Sequence, residues 1–143
     1  MAEITGVHHL ALTVRNMEKT SAWYEDLFGL TKVMEMEEPP GRPVHLYLHP
    51  GTQLLFGFHT HGENDGGDFS EFRTGLDHVG FGVDSRAELE AWRVRIEERG
   101  IEHSPIADRP YGSVLPSASA KWLSGSTLIL CTASWPRLFW SWC

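Results

Sequence analysis

Gly6-Val7-His8-His9-Leu10-Ala11-Leu12-Thr13-Val14 and Gly75-Leu76-Asp77-His78-Val79-Gly80-Phe81-Gly82-Val83 are two copies of one pattern. The constant offset between them also carries Trp23 onto Trp92, so the chain is built from a repeated unit. Alternation within each block predicts a strand with two unlike faces. In the first copy, Leu10, Leu12 and Val14 form an aliphatic face opposite His9, Ala11 and Thr13. In the second, Val79, Phe81 and Val83 oppose His78, Gly80 and Gly82. The aliphatic face is expected to pack under a helix. The other carries an imidazole above small residues, which leaves a concavity.

Each block leads into a helical pattern, Met17 to Phe28 and Arg86 to Arg99, stopped by Gly29 and Gly100 as left-handed C-terminal positions favour. Trp23, Leu27, Leu89 and Trp92 are the expected helix-side partners of the strands. Strand patterns follow at Thr31 to Met36 and at Val44 to His49, which Pro50-Gly51 turns into Thr52 to His59. A polar stretch, Thr60 to Thr74, joins the copies. In the second copy Glu102 to Ala107 and Gly112 to Leu115 are the expected strands, with Thr127 to Thr132 a further candidate. The fold class is therefore α+β: two tandem βαβββ modules forming a cupped mixed sheet. The boundaries expected in this single 143-residue domain are about 4–60 for module 1, 61–74 for the linker, about 75–132 for module 2 and 116–143 for an atypical tail.

Composition narrows the function classes. With 41% hydrophobic and 22% charged residues the chain is an ordinary globular one. A net charge of −7 with no basic stripe excludes phosphate-backbone binding, so no nucleic-acid partner is expected. No apolar run approaches the roughly 20 residues that span a bilayer, so no membrane partner is expected either. Met1-Ala2-Glu3-Ile4-Thr5-Gly6 lacks the basic and apolar regions of a secretory signal, which makes a cytoplasmic location the expectation. Two cysteines, Cys131 and Cys143, are too few and too late for a disulfide framework or a zinc ligand set. The acidic balance by itself mildly favours cationic ligands.

The duplicated module with a histidine opening each first strand resembles the vicinal oxygen chelate superfamily of glyoxalases, bleomycin-resistance proteins and extradiol dioxygenases. The wording His8-His9-Leu10-Ala11-Leu12-Thr13-Val14 with Trp23-Tyr24 and Phe28-Gly29-Leu30 resembles that family's opening strand and helix. Gly75-Leu76-Asp77-His78-Val79-Gly80-Phe81 resembles its second opening strand, and the likeness runs from about Ile4 to Leu115. The resemblance implies a divalent metal (Fe, Mn, Ni or Zn) held by His9 and His78, which lie close across the cup with Ala11 and Gly80 as its floor. Neutral imidazoles suit such ions, and open coordination positions let a substrate chelate. The plainer interpretation of the same pair is two buried histidines hydrogen-bonded inside the cup.

The family's third ligand is a glutamate on the last strand, and here the pattern breaks. After Leu115 the chain contains no Asp or Glu; Lys121 and Arg137 are its only charged side chains, and four of the six tryptophans (Trp122, Trp135, Trp140 and Trp142) fall there. Counted from Ser124-Gly125-Ser126, the carboxylate position falls on Ile129, with Cys131 on the same face as a weak thiolate substitute. A fourth, glyoxalase-type glutamate is missing from Gln53 to Phe58. So abrupt a change is what a shifted reading frame or an exchanged C-terminus produces. It predicts a last strand that is absent, short or irregularly paired, and Trp135, Phe139, Trp140 and Trp142 packed outside the cup, against a neighbouring chain, or driving aggregation.

The remaining candidates have plain interpretations. His59 and His61 alternate on one face within reach of a metal but read as exposed histidines of a loop edge. His45, His49 and His103 read as surface histidines, and His8 as facing away from His9. Glu35, Glu37 and Glu38 read as a solvated edge, and Tyr111 as either a cup residue or ordinary packing. Three functions follow: a metal-assisted lyase or ring-cleaving dioxygenase, a metal-free binder of small molecules of the bleomycin-resistance kind, or a chain whose altered end has cost it activity. A homodimer is expected, because an open sheet leaves edges and an apolar face to cover.

Overall fold

A computed structural model of the chain describes residues 4–67, 70, 72, 74–117 and 127–132. These form two compact units, residues 4–67 and residues 70–117 with 127–132. The first runs β1 (His9–Thr13), α1 (Met17–Phe28), β2 (Thr31–Glu37), β3 (Pro43–Leu48) and β4 (Leu55–His59). The second repeats it as β5 (His78–Val83), α2 (Arg86–Glu97), β6 (Ala107–Arg109), β7 (Gly112–Ser117) and β8 (Thr127–Thr132). The sheet orders are β1-β4-β3-β2 and β5-β8-β7-β6, the same topology twice. In each sheet the first and last strands pair in parallel and the others antiparallel.

The sequence places each helix. Asn16 Oδ1 accepts the Lys19 amide at 2.9 Å and starts α1, which ends at Gly29 in the left-handed region (φ 67°). Ser85 and Glu88 form the corresponding box at α2: Ser85 Oγ accepts the Glu88 amide, while Glu88 Oε2 accepts the Asp84 amide at 3.1 Å. Beneath α1, Tyr24 meets Phe58 at a centroid distance of 4.9 Å, and Phe58 meets Tyr47 at 5.3 Å. Leu12, Val14, Leu27 and Phe56 are buried with them. Leu89, Ile96, Leu115 and Leu130 form the matching layer of the second unit. Each such side chain contributes roughly 1.5–3 kcal/mol of transfer free energy, so the helix-covered face holds each module together and the opposite face is left for chemistry.

Three expectations need correction. β8 is neither absent nor irregular: all six residues pair with β5, from His78↔Thr127 to Val83↔Thr132, and four pair with β7. Apolar Leu128, Leu130 and Ile129 supply a strand pattern whatever the chemistry of the tail. The strand expected at Glu102 to Ala107 forms only at its end, as Ala107–Arg109, after a segment holding Pro105. β4 begins at Leu55 rather than Thr52, because Gln53 adopts φ 58° and the turn closes through Gln53 N–H to the His49 carbonyl (2.9 Å). Trp122, Trp135, Phe139, Trp140 and Trp142 lie outside the described residues. None of the helices described is long and apolar enough to cross a membrane.

Candidate functional site

Cross-strand partners project to one side of a sheet, so the registers define the uncovered face of each module. In module 1, His9, Ala11 and Thr13 of β1 line up with Leu55, Gly57 and His59 of β4, and these with Leu48, Leu46 and Val44 of β3. In module 2, His78, Gly80 and Gly82 line up with Thr127, Ile129 and Cys131. His9 and His78 therefore hold the same register position in the two sheets.

Each is oriented by the residue before it. The Asp77 carboxylate accepts a hydrogen bond from His78 Nδ1, which leaves Nε2 without a proton in the neutral ring. His8 and His9 share a hydrogen bond between their Nδ1 atoms at 3.0 Å, with the rings edge to face. One of the two must donate, so the His9 tautomer is coupled to that of His8. His8 thus turns back onto His9 rather than away from it, because it precedes the strand and escapes its alternation.

His59 and His61 are half-buried rather than exposed, and their rings stack at 6.2 Å with 21° between planes. Arg42 Nη1 donates to His61 Nδ1 at 3.0 Å, which puts the proton of neutral His61 on Nε2. The His59 ring leans over Gly57: a Cβ there would meet Nε2 at 3.2 Å and Leu46 Cδ2 at 3.4 Å. Burial, then the charges of Arg42, His61 and His9, push the His59 pKa below its ordinary 6.5, against the opposing Glu38. Arg42 carries no strand or helix pattern, which is why the sequence did not single it out. The usable signal was Gly57 between Phe56 and Phe58, a gap on the face that His59 shares.

Module 2 is barer. Among the described residues, a Cβ at Gly82 would meet no atom within 4 Å, and one at Gly80 only the Ile129 carbonyl at 3.9 Å. Ile129 faces the same side as His78, so the position counted for the carboxylate is filled by an aliphatic side chain. The Cys131 thiol donates to the Phe81 carbonyl at 3.7 Å and burial pushes its pKa up, both of which keep it protonated and a poor metal ligand. Among the described residues no group of three or more His, Cys, Asp or Glu is placed to hold a metal ion. Since no Asp or Glu follows Leu115 anywhere in the sequence, the tail does not supply one. These donors do not fit the metal site that the resemblance implies.

The other histidines are not simply superficial. His45 is 6% exposed, with Nε2 at 3.6 Å from Glu35 Oε1 and a buried Nδ1 that has no hydrogen-bond partner among the described residues. His49 is half-buried and accepts the Thr52 amide at 3.0 Å, shaping the β3–β4 turn. His103 is mostly buried between Glu97 (3.1 Å) and the Ser104 carbonyl (2.9 Å). Glu35, Glu37 and Glu38 are exposed, as expected, and Tyr111 is 54% exposed rather than packed.

A tandem βαβββ architecture with a histidine opening each sheet defines a class of small α+β proteins. Residues 6–115 match the Glyoxalase/Bleomycin resistance protein/Dioxygenase superfamily, and the chain belongs to that family. It is 26% identical over 128 aligned positions to MhqA of Bacillus subtilis (strain 168), whose name assigns it provisionally to the ring-cleaving dioxygenases. The match covers 79% of this chain but only 36% of MhqA, so the chain spans about a third of that relative's length. Among solved structures, a glyoxylase/bleomycin resistance protein/dioxygenase domain from Frankia sp. EAN1pec superposes with a TM-score of 0.80 at 24% identity, over 92% of this chain and 99% of that one. The fosfomycin resistance protein FosX of Listeria monocytogenes, crystallised with Mn(II) and sulfate, superposes with a TM-score of 0.67 at 18% identity, over 93% and 94%. These similarities establish the fold.

Proposed function

We propose that this chain is a small-molecule-binding member of the superfamily, acting by ligand capture on its uncovered sheet faces rather than by metal-assisted turnover. The observation that carries this is Ile129 on the face of His78, where a ligating carboxylate is required. An aliphatic side chain offers no donor, and two imidazoles alone, His9 and His78, make a weak site for a divalent ion. What the faces do offer suits binding: exposed glycine floors at Gly80 and Gly82 in module 2, and a small number of oriented nitrogens on both faces. In this role His78 Nε2 accepts a ligand hydrogen bond, and His9 presents a donor or an acceptor according to the state of His8.

The test is metal analysis of the purified protein after incubation with Fe(II), Mn(II), Ni(II) or Zn(II), alongside calorimetric titration of small aromatic ligands into the metal-free protein. Substoichiometric metal with saturable ligand binding is the expected result. One equivalent of metal that survives dialysis and is lost in His78→Ala would overturn it.

That outcome would favour the second reading, a lyase or dioxygenase in which His9 and His78 hold the ion and another copy of the chain supplies the carboxylate. The specific support for it is Asp77, which orients His78 in the way partner carboxylates orient metal-binding histidines. Cytoplasmic location and a homodimer belong to both readings. Half-exposed Val33 and Met34 on edge strand β2 are apolar surface that a second copy would cover. Sedimentation showing a monomer at tens of micromolar (~10⁻⁵ M, where an interface of standard size is populated) would count against the dimer.

A further inference from the structure

The β2–β3 turn and the end of β4 bring three nitrogen-rich side chains, Arg42, His59 and His61, to one edge of module 1's uncovered face. Arg42 is fixed there by Nε–H to the Glu38 carbonyl at 2.9 Å and by Nη1–H to His61 Nδ1 at 3.0 Å. Both acceptors are neutral. Three other cations, Lys32, Arg86 and Arg93, are neutralised directly, each holding a carboxylate oxygen at 2.6–3.2 Å. Among the described residues Arg42 has no carboxylate within ion-pair distance, although the chain as a whole carries −7. Its charge is left beside the half-buried, stacked rings of His59 and His61, where fields are less screened than at the open surface.

We infer that Arg42, His59 and His61 form an oxyanion-recognition edge, taking a carboxylate or phenolate oxygen of a small ligand through the guanidinium and the His61 Nε2–H. This rests on the ligand-capture function and adds the sign of the ligand to it. Burial first, and then the neighbouring positive groups, lower the His59 pKa, so the ring stays neutral near pH 7 and can serve the edge as a hydrogen-bonding group. Glu37 Oε2 is engaged by the Gly41 amide at 3.0 Å, and Glu38 is a carboxylate whose charge opposes the cations at His59. The edge reverses the preference for cations that the overall charge gives.

The experiment titrates benzoate and its neutral isostere benzamide into the full chain by calorimetry at low ionic strength, for the wild type, Arg42→Gln and His61→Gln. A preference for benzoate of about tenfold is expected, the size of one charge-assisted hydrogen bond. It should fall to about twofold or less in Arg42→Gln, with near-UV circular dichroism checking the fold. If Arg42→Gln disturbs the turn, His61→Gln reads the same edge from its other side. Equal binding of both probes by the wild type, or a preference that survives both substitutions, overturns the inference and leaves ligand capture standing. Absence of binding by both benzoate and benzamide removes ligand capture and the oxyanion edge with it.

Discussion

The two modules share a topology, a register and a helix-covered core, yet their uncovered faces are chemically unlike. Module 1 presents His9, His59 and His61 with Arg42 at the edge, over a glycine already pressed by an imidazole. Module 2 presents His78 beside Gly80, Gly82, Ile129 and a protonated Cys131. Duplication fixed the scaffold and left the faces free to diverge, because a face residue contributes little to the core that holds its strand. Polarity has gathered on one copy and open space on the other.

The largest test of the shared scaffold is truncation beneath the helices. Phe58→Ala in module 1 is expected to cost about 3–5 kcal/mol and Leu115→Ala in module 2 about 2–5, by urea denaturation. A cost under about 1 kcal/mol at either site would break the equivalence of the two cores. Next come the helix starts, where Asn16→Ala and Ser85→Ala should each lose about 1 kcal/mol. Unequal losses would show that one helix is held mainly by packing. The contrast between faces is sharpened by two alanines. Gly82→Ala meets none of the described residues and should gain about 0.5 kcal/mol by stiffening the strand, whereas Gly57→Ala should gain nothing, since its Cβ crowds His59 and Leu46.

The smallest effect is the pH dependence at His59. Its folded pKa lies below the ordinary 6.5, so its contribution to stability is complete above 6.5 and is lost as pH falls through the folded value. Wild type should therefore lose more stability than His59→Gln between about pH 7.5 and about pH 5, and parallel curves would show that His59 titrates as it does in the unfolded chain.

Much of the scaffold was legible because repetition and periodicity report backbone geometry. The Gly6 to Val14 and Gly75 to Val83 blocks gave β1 and β5, and α1 occupies the expected Met17 to Phe28. Gly100 does take up a left-handed conformation (φ 64°), although α2 ends at Glu97, two residues before Arg99. The lapses came where partners distant in sequence decide the outcome. Nothing near His45 announces that it sits opposite Phe58 and Glu35, and Arg42 meets His61 only because β3 and β4 fold back together. The odd composition around Thr127 to Thr132 obscures it, whereas its own apolar run, Leu128 to Cys131, is sufficient for strand pairing. His9 and His78 were legible as candidates because both open a repeated strand; Arg42 was not, because turns carry no period.

The position of β8 has a consequence for how the chain is made. It lies between β5 and β7, so β5 has no neighbour in its own sheet until Thr127 to Thr132 has been synthesised. During translation α2 and the β6–β7 hairpin emerge first, with the strand that joins them to β5 still to come. Module 1 can close its sheet once His59 is out, long before its twin. For that interval the growing chain carries one finished sheet and one with two bare edges, the state in which strands are most open to pairing with a neighbour or to capture by a chaperone.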